Sequence, residues 1–230
     1  MQIVGDVEPS ERLIILAPHG APYTGLGLAL EQVLDIVKAC DVDPALNFAQ
    51  FRGLQRNLSN GVLRTSEGNR FGLGLDGSLA VRRRLFHDRP GKGRVVQRGD
   101  VGLYSSLEQL FAAILYVRKV VEMTNMNRQL WSFRHQLYGI HTRHLMDDCP
   151  GGNRTENEWP ISEACVENMI EFAGEIDLRT DTERIAQLFD EAGVKIAAPF
   201  DRHQLVSLMK PGTFIIMSMQ TQSSKGPSDG

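Results

Sequence analysis

Apolar residues first gather at Leu13-Ile14-Ile15-Leu16-Ala17, a run closed by Pro18-His19-Gly20-Ala21-Pro22, and this predicts a short buried strand. Leu26, Leu30, Val33, Leu34 and Val37 then recur at helical spacing, so a helix is expected to run to about Cys40 with Thr24 as its cap. Asp43-Pro44 reads as a second helix start, with Pro44 at the first helical position and Leu46, Phe48, Phe51 and Leu54 following.

The period changes after Ser59-Asn60-Gly61. Short alternating runs at Val62–Thr65, Arg70–Leu75, Ser78–Phe86 and Arg94–Arg98 predict a small antiparallel meander over about residues 60–100. Asp76-Gly77 favours a two-residue type I′ hairpin, because both turn positions need positive φ. In that register Leu75 faces Ser78, Leu73 faces Ala80 and Phe71 faces Arg82. Phe71, Leu73 and Leu75 then share a sheet face with Arg82 and Arg84 at its edge, and the other face carries Leu79, Val81 and Arg83.

Helical periodicity returns over 105–146. Ser105 or Ser106 is the cap, Leu107, Leu110, Phe111, Ile114 and Leu115 form one stripe, and Leu130, Phe133, Leu137 and Ile140 continue it beyond Asn125-Met126-Asn127. Asp147 to Asn153 is a loop by composition. Further helices are expected from Pro160 to Gly174 and from Thr180 or Asp181 to Gly193, with Asp201 capping a short one. Thr213–Met219 reads as a strand and 220–230 as a disordered tail. Helices, then a meander, then helices make an α+β fold, mostly helical, with short N-terminal and C-terminal strands, in one domain over 1–219.

Composition agrees with a globular chain: of 230 residues 42% are hydrophobic and 23% charged. No apolar stretch reaches the ~18 residues of a membrane span. Acidic Asp6, Glu8 and Glu11 near the start do not read as a secretory leader, so an intracellular, cytoplasmic protein is expected. Three widely spaced cysteines, Cys40, Cys149 and Cys165, suit neither a disulfide framework nor a cysteine-rich zinc module.

Charge refines the picture. The net charge is −3, yet residues 1–146 carry 18 Lys/Arg against 13 Asp/Glu, and residues 147–230 carry 7 against 15. A basic front half and an acidic, helical back half (147–219) point either to an intramolecular clamp or to head-to-tail self-association into a homo-oligomer. The positive charge is densest at Arg82, Arg83, Arg84, Arg89, Lys92, Arg94 and Arg98, with Asp88 as the one acid among them. Guanidinium groups at this density suit phosphate, since each can donate two parallel hydrogen bonds. Few aromatics accompany them, only Phe71 and Phe86, so backbone contact is favoured over base stacking.

A second constellation is His141, His144 and Asp148. On a helix these three fall within about 60° of one another, and two imidazoles with a carboxylate could hold a divalent metal such as zinc. The His-Glu-x-x-His spacing of zinc hydrolases is absent. Gly25-Leu26-Gly27 and His19 sit near a helix start where anions are attracted, without the glycine pattern of a nucleotide loop. Cys149 has no nucleophile signature around it.

These observations describe a non-enzymatic binding or assembly protein without a cofactor, contacting nucleic acid, RNA or DNA, or another polyanion through the basic meander and associating through the acidic half. A metal-dependent hydrolase built on His141, His144 and Asp148 is the alternative. A protein–protein adaptor whose arginines meet an acidic protein surface is a third reading, since it needs the same charge.

Overall fold

Among the described residues, an antiparallel sheet of seven strands carries three helices on one face. The computed structural model describes residues 10–16, 27–42, 53–66, 69–85, 89–90, 96–97, 101–124, 130–146, 163–178, 182–201 and 212. In chain order the elements are β1 (Ser10–Leu16), α1 (Leu30–Val42), β2 (Leu54–Leu58), β3 (Gly61–Ser66), β4 (Asn69–Gly74), β5 (Leu79–Arg84) and the two-residue strands β6 (Arg89–Pro90), β7 (Val96–Gln97) and β8 (Val101–Gly102). Then come α2 (Leu103–Thr124), β9 (Leu130–Tyr138), β10 (Leu145–Met146), β11 (Met169–Asp177) and α3 (Thr182–Ala197), which ends in a 3-10 turn at Ala198–Phe200. The seven-stranded sheet has the order β11-β9-β1-β5-β4-β3-β2. β10 pairs with β8 and β6 with β7 as two small ladders.

Register decides which residues face the helices. Val62 is opposite Leu73, Leu73 opposite Leu79, and Phe71 opposite Val81, so these share one face and are buried on it. Trp131, Phe133, His135 and Leu137 of β9 and Ile170 and Ile176 of β11 continue the same face. Phe71 meets Tyr116 of α2 edge to face with ring centroids 5.2 Å apart. Phe111 of α2 meets Phe189 of α3 at 5.4 Å. Each large side chain buried this way contributes about 1.5–3 kcal/mol relative to exposure, and the helices are held by that apolar face rather than by their own propensity.

The local signals are legible in these elements. Gln32 Oε1 accepts from the Ala29 N–H at 2.8 Å, so α1 starts with half of a capping box three residues before Gln32. Thr24, the expected cap, lies outside the described residues. α2 ends where Thr124 Oγ1 bonds back to the Val120 carbonyl at 2.6 Å. α3 runs through Gly193 to Ala197, and Asp201 closes the 3-10 turn in the left-handed conformation with φ 56°; the short helix expected after it lies outside the described residues.

The chain is α+β, and among the described residues helix falls short of a majority. Two segments expected as helix are strands, β9 over 130–138 and β11 over 169–177. Leu54, expected on the second helix, opens β2. The meander itself is as expected in its strands β3, β4 and β5, which belong to a larger sheet. The hairpin loop differs. The Gly77 N–H donates to the Gly74 carbonyl and the Gly74 N–H to the Ser78 carbonyl, leaving three loop residues, with Gly77 alone at positive φ (78°). This is a type I turn followed by a glycine bulge, not a two-residue type I′ turn. Phe71 therefore faces Val81 rather than Arg82, a one-residue slip that turns every side chain of one strand to the other face. The expected strand over 213–219 lies outside the described residues. Among the described residues, no helix is long and apolar enough to cross a membrane.

Candidate functional site

The slipped register sorts the Arg82-Arg83-Arg84 run onto two faces. Arg83 points to the helix-covered face and is buried, whereas Arg82 and Arg84 belong to the opposite one.

Arg83 is part of an ionic cluster at the centre of the sheet. Glu11 of β1 is directly opposite Arg83 of β5, and its carboxylate accepts from Arg83 Nε. The other carboxylate oxygen lies 2.6 Å from His135 Nε2 on β9. Arg83 also donates to the Ser105 carbonyl of α2 at 2.7 Å. Glu11 and His135 are 1% and 2% exposed. Burial pushes the Glu11 carboxyl up, but the Arg83 guanidinium and the His135 hydrogen bond outweigh it, and the group stays ionised below the ordinary carboxylate range. This arrangement ties three strands and a helix together. No substrate can reach atoms so enclosed, and Arg83 cannot serve as a solvent-facing phosphate contact.

The opposite face holds the second group. Arg70 is directly opposite Arg82, and Arg82 directly opposite Arg12, so β4, β5 and β1 carry arginine at aligned positions. Gln136 and Glu171 complete that row on β9 and β11. Glu171 accepts from Gln136 Nε2 and pairs with Arg134 at 3.5 Å. Arg84 lies two residues along β5 from Arg82, on the same face; its backbone N–H donates to Asn69 Oδ1 at 3.0 Å. Arg70 and Arg84 are half-buried, Arg82 is 5% exposed, and Arg56 and Arg134 are exposed at the flanks. Arg84 Nε is buried and has no hydrogen-bond partner. Like charges directly opposed across strands destabilise a sheet, and a buried unpaired guanidinium N–H costs more still.

The other expected residues fall elsewhere. Arg89 lies on β6, paired with Gln97, away from this row in the topology. Lys92, Arg94, Arg98, Asp148, Cys149, His19 and Gly25 lie outside the described residues. The helical face expected to gather His141, His144 and Asp148 does not form, because 130–138 is a strand and the chain turns after it, with Thr142 at φ 64°. His141 is exposed, with Nδ1 3.2 Å from the Val166 carbonyl, and His144 is half-buried. Among the described residues, no group of three or more His, Cys, Asp or Glu is placed to hold a metal ion. Arg70, Arg12 and Glu11 carry no motif of their own, and only the strand register reveals them. Comparison of the chain with protein-family models, with curated protein sequences and with solved structures gave no match.

Proposed function

We propose that the protein binds a polyanion, with nucleic acid as the leading ligand, on the sheet face where the half-buried Arg70 and Arg84 flank the buried Arg82. The supporting observation is the alignment of Arg70 with Arg82 across β4 and β5 beside an Arg84 Nε that donates to nothing. Phosphate oxygens supply an acceptor for the Arg84 Nε and negative charge beside Arg70, and guanidinium groups take phosphate in parallel pairs of hydrogen bonds. Recognition of this kind is indifferent to base sequence and sensitive to salt. The reading moves the contact from the consecutive run Arg82-Arg83-Arg84 to a cross-strand set, with Arg83 reassigned to the interior. The acidic back half belongs to the same proposal as the surface through which copies associate.

Fluorescence anisotropy with a labelled single-stranded oligonucleotide tests it. Arg70→Ala/Arg84→Ala leaves the buried Glu11–Arg83–His135 cluster intact. It is expected to weaken binding by a similar factor for every base sequence and to flatten the slope of log affinity against log salt by roughly one to two, at about 0.7 per lost phosphate contact. Binding and salt slope equal to those of the parent would sink the proposal.

A further inference from the structure

The two edges of the sheet differ in a way that bears on how copies meet. Among the described residues, β11, nine residues long, forms one edge, and β2 forms the other. On β11, Ala173, Gly174 and Glu175 are exposed, and on β2, Leu54 through Asn57 are exposed, so both edges face solvent there. An open edge offers unpaired backbone N–H and carbonyl groups, and proteins usually blunt it with lysine, proline or a short strand. β11 has neither residue and is long. Its charged residues are Glu171, Glu175 and Asp177, whereas the one charged residue of β2 is Arg56.

We propose that copies of this chain add edge to edge, β2 of one protomer pairing with β11 of the next. The inference rests on the self-association reading above and gives it a surface. Charge disfavours the symmetric alternatives. Two β11 strands paired antiparallel about Ala173 put Glu171 opposite Glu175, and two β2 strands paired about Arg56 put arginine on arginine. The mixed pair is free of both conflicts. Six antiparallel steps separate β11 from β2, so the two edge strands run in the same direction. Pairing head to tail is therefore parallel. With the strand starts aligned, Leu54 lies beside Met169 and Arg56 beside Glu171. All four belong to the sheet face away from the helices, as the register through Leu63, Gly72, Ala80, Ile14, Arg134 and Ala173 requires. Leu54 and Met169 are the exposed large apolar residues of the two edge strands, at 61% and 43%. One register thus matches apolar to apolar and cation to anion. The contact is heterologous, so it builds chains or rings rather than a closed dimer.

Size-exclusion chromatography with light scattering on the nuclease-treated, full chain reads the outcome. The parent is expected to elute as multiples of 25.6 kDa that grow with protein concentration. Arg56→Glu and Glu171→Lys are each expected to elute as monomers, and Arg56→Glu/Glu171→Lys in one chain to assemble again. Thermal melting confirms that each variant folds, and Met169→Asp blocks the same edge without touching the Glu171 bonds to Gln136 and Arg134. A parent that stays monomeric up to hundreds of micromolar overturns the self-association reading and this inference with it. A parent that assembles while Arg56→Glu and Met169→Asp assemble equally well overturns the edge pairing alone. Oligonucleotide binding is measured separately, so neither result depends on it.

Discussion

Glu11 answers to two partners at once, and its position explains why a carboxylate is tolerated in the middle of an apolar sheet face. Removing a charge from water costs several kcal/mol, and only close, well-aligned partners repay it. Arg83 and His135 are such partners, and the Ser105 carbonyl accepts from a second nitrogen of the Arg83 guanidinium. Glu11→Gln leaves the Arg83 guanidinium buried without its counter-ion. It is expected to lower stability by about 3–5 kcal/mol in a denaturant melt. A loss under ~1 kcal/mol, the scale of a neutral hydrogen bond, would contradict the cluster. The pH dependence has a definite sign. The folded Glu11 carboxyl binds its proton less tightly than the unfolded one. Its stabilisation is therefore fully present above the unfolded value of about 4.5 and is lost as pH falls through the lower, folded one. Melts between pH 7 and pH 2 should show this acid limb in the parent and a flatter one in Glu11→Gln.

Between residue and molecule stands the hairpin, where one loop residue decides which arginine faces the helices. Asp76 Oδ1 accepts from the Ser78 N–H at 2.9 Å and from the Ser78 hydroxyl, and Gly77 takes the left-handed conformation at φ 78°. Gly77→Ala is expected to cost about 1–2 kcal/mol. Gly77→Asn should cost less, because asparagine tolerates that region. Equal losses for the two, compared by denaturant midpoint, would mean that backbone conformation is not what selects glycine here. The dipeptide Asp76-Gly77 announces a turn in either case, since type I with a bulge and type I′ both place glycine at positive φ. The sequence alone could not choose between two and three loop residues, and that choice determines the face of Arg83. β9 was obscure for a related reason. Leu130, Phe133 and Leu137 recur at helical spacing, while Trp131, Phe133 and Leu137 also alternate, with a polar residue, His135, at the missing inward position. The alternation reads clearly only once Glu11 is known to satisfy that histidine. β11 hides its period in the same way, because its third inward position is Gly174, where an added Cβ would lie 3.4 Å from the Phe133 ring. The strands β3, β4 and β5 and the helices α1 and α3 had no such competing pattern.

At the scale of the whole molecule, the arginine face and the sheet edges become one system. Edge pairing in the proposed register carries the outward face of one protomer onto that of the next, so the row from Arg70 to Arg12 recurs along the assembly. A long single strand of nucleic acid would then meet successive protomers, and its binding should be cooperative, while an oligonucleotide that spans one protomer should bind without cooperativity. Net charge alone makes a different forecast. Arg56→Glu lowers the positive charge and Glu171→Lys raises it, so simple electrostatic attraction shifts the two affinities in opposite directions. Pairing of the edges makes both variants lose cooperativity on the long strand, whatever happens to their affinity for the short one. Anisotropy titrations on the two lengths of oligonucleotide separate the cases. If the cooperativity of both variants matches that of the parent, the arginine face acts one protomer at a time. If it falls in both and returns in the charge-swapped double variant, the open edges align the arginine faces along the ligand.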